Sequence, residues 1–190
     1  MKKIFLTLFS IILSTNLYAS NIQKVYFAGG CFWCMEESFD KVEGVIETIS
    51  GYSGGHVKNP KYKDVVKNTT GHYETLEITY DPSITSFEKL LEIFWINIDP
   101  FDADGQFCDK GESYKSVVFY ENSDQKKIIE TSIKKIENKF NKKVVTYVKN
   151  FNEFYMAETY HQDYYEKNFI RYLMYKKGCQ RDETLSKIWG

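Results

Sequence analysis

Across residues 24–148 the apolar side chains keep switching between strand-like alternation and helical spacing, and the order of those switches constrains the fold most. Residues 24–28 read as a short strand ended by Gly29-Gly30, and 31–41 read as a helix with Phe32, Met35 and Phe39 on one side. Residues 45–49 alternate and are β-branched, a strand running into the glycine-rich loop 51–55. Asn59-Pro60 marks a turn, and 72–80 is a strand stopped at Asp81-Pro82. Then come a helix over 86–97, a strand over 116–120, the clearest helix over 123–140 with Ile129, Ile133, Ile136 and Phe140 along one face, and a strand over 144–148. The order strand–helix–strand–strand–helix–strand predicts an α+β, two-layer sandwich with a ferredoxin-like core. From Asn150 onward tyrosine and charge dominate, which predicts a tail wrapping the core with one short helix near 157–167. No repeat or Pro/Ser linker interrupts the chain, so residues 20–190 are expected to form a single domain.

Residues 1–19 read differently. Lys2-Lys3 precede the apolar run 4–13, followed by polar residues and Ala19, the order of a secretory signal and its cleavage site. The run is short for a membrane span. Export to an oxidising, periplasm-like compartment is expected, with no stable membrane insertion after cleavage. The 25 basic residues are matched by 26 acidic ones, so no excess of positive charge is left to neutralise phosphates, and a nucleic-acid partner is not expected.

Four cysteines carry the chemical signal. Cys31 follows a strand and two glycines and opens a helix, where unpaired N–H groups favour a thiolate and would lower its pKa from about 8.5. Cys34 lies one turn on, in redox C-x-x-C spacing. Cys108 and Cys179 stand alone and His56, His72 and His161 are scattered, which argues against zinc. In the strand 72–80, Glu74 shares its side with Leu76 and Ile78, so its carboxyl points inward, where burial would keep it protonated as a general acid. Parity alone leaves an ordinary strand-end ion pair equally open. Phe32 and Trp33 beside Cys31 offer an apolar wall, with plain core packing as the alternative. Tyr62 and Tyr114 are possible phenolic donors that physics does not single out among 15 tyrosines. Segment 105–116 reads as a functional loop that Asp109 would order.

The runs GCFWCMEESF (30–39), GYSGG (51–55), NPKYKDV (59–65), GHYETLEITYDP (71–82), FWINIDP (94–100), GQFCDKGESYKS (105–116) and AETYHQDYY (157–165) resemble the A-type peptide methionine sulfoxide reductases, MsrA, over nearly all of the chain from Val25. The resemblance implies an α/β roll and reduction of methionine-(S)-sulfoxide, free or in proteins. It implies Cys31 as nucleophile, Glu74 as proton donor, Tyr62 and Tyr114 as holders of the sulfoxide oxygen, Phe32 and Trp33 as walls of the methyl pocket, and Asp109 as support. No bound cofactor or metal is implied, and a thioredoxin-like dithiol is the implied reductant.

In that scheme Cys31 becomes a sulfenic acid, a second thiol condenses with it, and the dithiol reduces the disulfide. Three cysteines could resolve. Cys179, in a Lys- and Gly-containing tail able to swing, is favoured on reach over Cys108 and Cys34, because a disulfide between i and i+3 needs the first turn of a helix. Many family members have Gly at the position of Cys34. A monomer is expected. Two rivals remain at this level: a C-x-x-C disulfide oxidoreductase, and a lipoprotein anchored through Cys31.

Overall fold

A computed structural model describes residues 21–190; the expected signal segment lies outside them. Strand β1 (Gln23–Ala28) leads into helix α1 (Phe32–Phe39), β2 (Val45–Ser53), the short α2 (Tyr62–Val65), β3 (Tyr73–Tyr80) and α3 (Phe87–Ile96). A small hairpin, β4 (Gly105–Gln106) and β5 (Asp109–Lys110), precedes β6 (Val117–Tyr120), α4 (Ser123–Phe140), β7 (Tyr147–Asn150) and β8 (Phe154–Met156). Helices α5 (Tyr164–Lys167), α6 (Phe169–Gly178) and α7 (Arg181–Trp189) complete the order. Among the described residues no helix is long and apolar enough to cross a membrane.

The main sheet runs β7-β6-β1-β3-β2-β8, with β6 and β7 parallel and every other pair antiparallel. Helices α1, α3 and α4 cover one face. There Val25, Phe27, Leu76 and Ile78 meet Met35, Phe39, Leu90, Phe94 and Ile129 in one apolar cluster. Each such side chain contributes about 1.5–3 kcal/mol by leaving water. The helix ends agree with their residues. Ser86 accepts from the Lys89 amide at 3.2 Å, and Asn122 accepts from the amides of Asp124 and Gln125 at 3.1 and 3.0 Å. Asn141, in left-handed backbone, closes α4.

Three expectations need correction. The glycine-rich segment does not begin as a loop: β2 runs on through Gly51-Tyr52-Ser53, because β8 pairs with it there. Gly51 is the residue that permits this, since a Cβ at that position would run into the Phe154 ring and the Tyr155 carbonyl. The strand expected over 144–148 starts only at Tyr147. Val145 donates to the Pro100 carbonyl at 2.9 Å instead, so pairing with β6 begins later. The tail is not one short helix but β8 and three helices, tied down by tyrosines and polar groups rather than by an aliphatic stripe.

Candidate active site

After β1 the chain turns at Gly29-Gly30. Gly30 has a φ of 79°, and a Cβ there would crowd the Gln106 side chain. The turn delivers Cys31 to the N-cap of α1, where its carbonyl accepts from the Cys34 and Met35 amides at 3.2 and 3.3 Å. Both sulfurs are covered: Cys31 is 4 % exposed and Cys34 2 %. Glu74, near the start of β3 and 2 % exposed, accepts from the Phe32 amide at 3.1 Å. Its carboxyl therefore occupies the first turn of the helix that Cys31 opens. The inward side assigned to Glu74 by alternation is the observed one.

Cys31, Phe32, Trp33, Tyr62, Glu74, Asp109 and Tyr114 border one cavity of about 50 Å3, with Tyr175 as its remaining wall. That is room for a few water-sized groups. All seven side chains proposed for catalysis and substrate contact thus come together from α1, α2, β3, β5 and the turn before β6. Cys34 lies beside Cys31 in one cluster with Tyr172. Cys108 and Cys179 are joined to each other in a disulfide, with Cα atoms 4.9 Å apart. The structure thus places Cys179, expected in a loose tail, against Cys108. It is the C-cap of an ordered helix and is already bonded, so the free thiol next to Cys31 is Cys34.

Electrostatics sorts the groups. Burial raises Glu74 well above the usual carboxylate range, against the Phe32 amide that favours its ionised form, so the site favours the neutral carboxyl. Burial also pushes Tyr62 up to about 12 and Tyr114 higher still, so both phenols keep their protons. Both line the same cavity as Glu74. The expectation of a depressed Cys31 is not met. Burial, then Cys34, then Glu74 raise it, with Tyr175 offsetting part of the rise. Cys34 is drawn down to about 7, first by its hydrogen bond with Cys31, against burial and with help from Arg181. The helix end thus holds two neighbouring buried thiols.

Several positioning residues escaped the sequence reading. The indole of Trp33 donates to His161 Nδ1 at 3.2 Å and stacks on Tyr164, ring centres 3.8 Å apart. Burial lowers His161 to about 4, so it stays neutral and can accept. Glu158 accepts from the Tyr62 amide at 3.1 Å and from the Tyr52 hydroxyl at 2.9 Å, which fixes the start of α2. Tyr175 donates to Asp109 Oδ2 and lies beside Cys31 on the cavity wall. The only advance signal for His161 and Glu158 was the run 157–165, and nothing pointed to Tyr175. A larger groove of about 660 Å3 between α3 and α4 holds none of these groups.

Comparison with known proteins agrees with this arrangement. The family model described as "Peptide methionine sulfoxide reductase" matches residues 23–190. The peptide methionine sulfoxide reductase MsrA of Bacillus licheniformis is 48% identical over 166 residues, 86% of this chain and 92% of that protein. MsrA 2 of Staphylococcus aureus is 47% identical over 165 residues, 86% of this chain and 93% of its own. Among solved structures, reduced Mxr1 of Saccharomyces cerevisiae superposes with a TM-score of 0.73 at 28% identity, over 77% of this chain and 86% of that one. Methionine sulfoxide reductase A of Corynebacterium diphtheriae gives 0.71 at 28% identity, over 77% and 75%.

Proposed function

The chain belongs to the peptide methionine sulfoxide reductase family, and we propose that its cavity reduces methionine-(S)-sulfoxide by attack of Cys31 on a sulfoxide protonated by Glu74. The enzyme class follows from the family; the roles below are the reading that the geometry supports best. One observation carries it: the Cys31 thiol, the buried Glu74 carboxyl and the Tyr62 and Tyr114 phenols border the same small cavity, with the Cys34 thiol beside Cys31.

The sulfoxide oxygen enters between Tyr62, Tyr114 and Glu74, and the methyl group rests on Phe32 and Trp33. Phenols and carboxyl polarise the S–O bond, and the proton of Glu74 passes to the oxygen as charge builds on it. The thiolate of the pair attacks at Cys31. Methionine leaves and the oxygen remains on Cys31 as a sulfenic acid. Cys34 condenses with it, releasing water and forming a Cys31–Cys34 disulfide. The N-cap and first-turn placement of the two cysteines supports that bond, which a mid-helix pair could not make without unwinding. A thioredoxin-like dithiol then returns two electrons and two protons.

The scaffold supports the expected ferredoxin-like core. Strands β6-β1-β3-β2 are neighbours in that order, with β3 antiparallel between β1 and β2. An oxidising, exported location is supported by the exposed Cys108–Cys179 disulfide.

The test is stoichiometric. Reduced protein mixed with methionine-(S)-sulfoxide and no other reductant should yield one methionine per chain, and Cys31→Ser none. Cys34→Ser should still yield one, leaving a sulfenic acid that dimedone traps. Product from Cys31→Ser would remove the nucleophile assigned here.

A further inference from the structure

Helix α6 covers the sulfur pair. Tyr175 borders Cys31 and Tyr172 clusters with Cys34, while Tyr172 donates to Glu37 at 2.6 Å and Lys176 pairs with Glu37 at 3.0 Å. The opposite face of the helix anchors nothing: Ile170 is 67 % exposed and Met174 71 %. The helix is therefore held on one side only, by the buried ring of Tyr172 and the edge of Tyr175 against Trp33, by these polar contacts, by α7, whose Arg181 donates to the Asn97 carbonyl at 2.6 Å, and by its C-cap residue, Cys179, bonded to Cys108. Cys108 adjoins Asp109, the acceptor of the Tyr175 hydroxyl. One covalent bond and one hydrogen bond thus fix the C-terminal half of α6 to the β4–β5 hairpin. The two disulfide positions differ in access: Cys108 is exposed, whereas Cys31 and Cys34 are buried.

We propose that the Cys108–Cys179 disulfide is a latch that holds α6 over Cys31 and Cys34, and that a protein dithiol opens it before it can reach the buried pair. The inference rests on the preceding reading in one respect, that Cys31 and Cys34 form the disulfide to be recycled. Exchange needs the attacking thiolate to approach a sulfur directly. A folded reductant cannot do so at two covered sulfurs, but it can at Cys108. Its thiolate attacks the Cys108 sulfur and releases the Cys179 thiolate. Its second thiol then displaces Cys108, so two electrons and two protons pass to the pair and the reductant leaves as a disulfide. With the latch open, α6 loses its covalent tie to the hairpin and keeps two inward tyrosines but no buried aliphatic stripe, which lowers the cost of opening it locally. A second dithiol then reduces Cys31–Cys34. While the latch stays open, later turnovers need one dithiol each.

The Cys108→Ser/Cys179→Ser double variant tests this. With Cys31 and Cys34 reduced, a polyethylene-glycol maleimide should label them at least ten-fold faster in the variant than in the latched wild type. Thioredoxin-driven turnover of the latched wild type should show a lag that the variant lacks. Equal labelling rates would overturn the latch, and so would loss of thioredoxin-driven turnover, which would make these cysteines electron carriers. Should the variant fold poorly, hydrogen exchange in the wild type decides: amides of 169–178 should exchange faster once Cys108–Cys179 is reduced, and equal protection overturns the proposal. If wild-type protein makes no methionine, the catalytic reading fails while the labelling and exchange results still judge the latch.

Discussion

Helices α4 and α6 are attached to the same body by opposite means. In α4, Ile129 and Ile136 point at the sheet, charges point at water, and asparagines cap both ends. In α6 the aliphatic residues point outward, and two phenols point in to meet thiols and carboxylates. The first pattern is what burial of apolar area selects. The second gives up that stabilisation so that the covered surface can be hydrogen-bonded and reactive. Truncation on the α4 side should therefore change stability and spare chemistry, while changes under α6 should do the reverse.

The largest expected contrast is at Glu74. Glu74→Gln keeps the acceptor for the Phe32 amide but removes the acidic proton, and single-turnover methionine formation should fall by about 10²–10⁴-fold. Stability should move the other way. The folded pKa of this carboxyl lies above its unfolded value, so the folded state binds more protons, and wild-type stability falls as pH rises from the ordinary carboxyl range. The variant has no such loss and should resist urea better than wild type at pH 7. A variant that is both inactive and less stable would mean that Glu74 holds the fold together rather than supplying a proton. The wild-type rate should rise as the sulfur pair loses its first proton, near 7 by the value for Cys34, and fall again once Glu74 ionises.

Ile129→Ala is the counterpart on the other helix. Its side chain is fully buried in the main cluster, and truncation should cost about 2–5 kcal/mol in urea unfolding. Methionine formed per folded chain should not change. A slowed single turnover would show that the α4 side and the site are mechanically coupled.

This contrast also explains what could be read from the chain beforehand. Helix α4 was legible residue for residue because aliphatic period and capping are local signals. Strand β3 and Glu74 were legible because alternation fixes a side. Tyr175, His161 and Glu158 were not. Each is placed by a partner distant in sequence, Asp109, Trp33 and Tyr62 respectively, and one tyrosine among fifteen carries no local mark. For α6 the expected stripe is inverted, with Phe169, Ile170, Leu173 and Met174 outside, so periodicity has nothing to detect. The ordering of the segment around Cys179 was hidden for the same reason, since Lys and Gly suggest a loose tail whereas Cys108, distant in sequence, pins it.

Glu36 offers a smaller test within the polar region. It lies on α1, fully buried, with the Ser50 hydroxyl 3.5 Å from one carboxylate oxygen and no partner among the described residues for the other. Burial raises it to about 7. Wild-type stability should therefore decline between about 4.5 and 7 by an amount on the order of 3 kcal/mol as the unfolded carboxyl ionises first. Glu36→Gln should flatten that part of the pH profile. An unchanged profile would show that this carboxyl is solvated.

The smallest expected effect concerns the outward face of α6. Leu173 is 42 % exposed and Met174 71 % exposed, so replacing both with Gln removes little buried area, and Gln is nearly as good a helix former. Stability should stay within about 0.5 kcal/mol of wild type, and one methionine per chain should still form. The same pair of substitutions on the inward face of α4 would break the core, and that asymmetry is the content of the comparison. A loss well above 1 kcal/mol would mean that these side chains are packed in solution, and then α6 would be held by apolar contact as α4 is. In that case a disulfide would have little left to latch, because a helix anchored along its length does not lift when its end is released. The double substitution thus bears on the latch from the side opposite to Cys108 and Cys179.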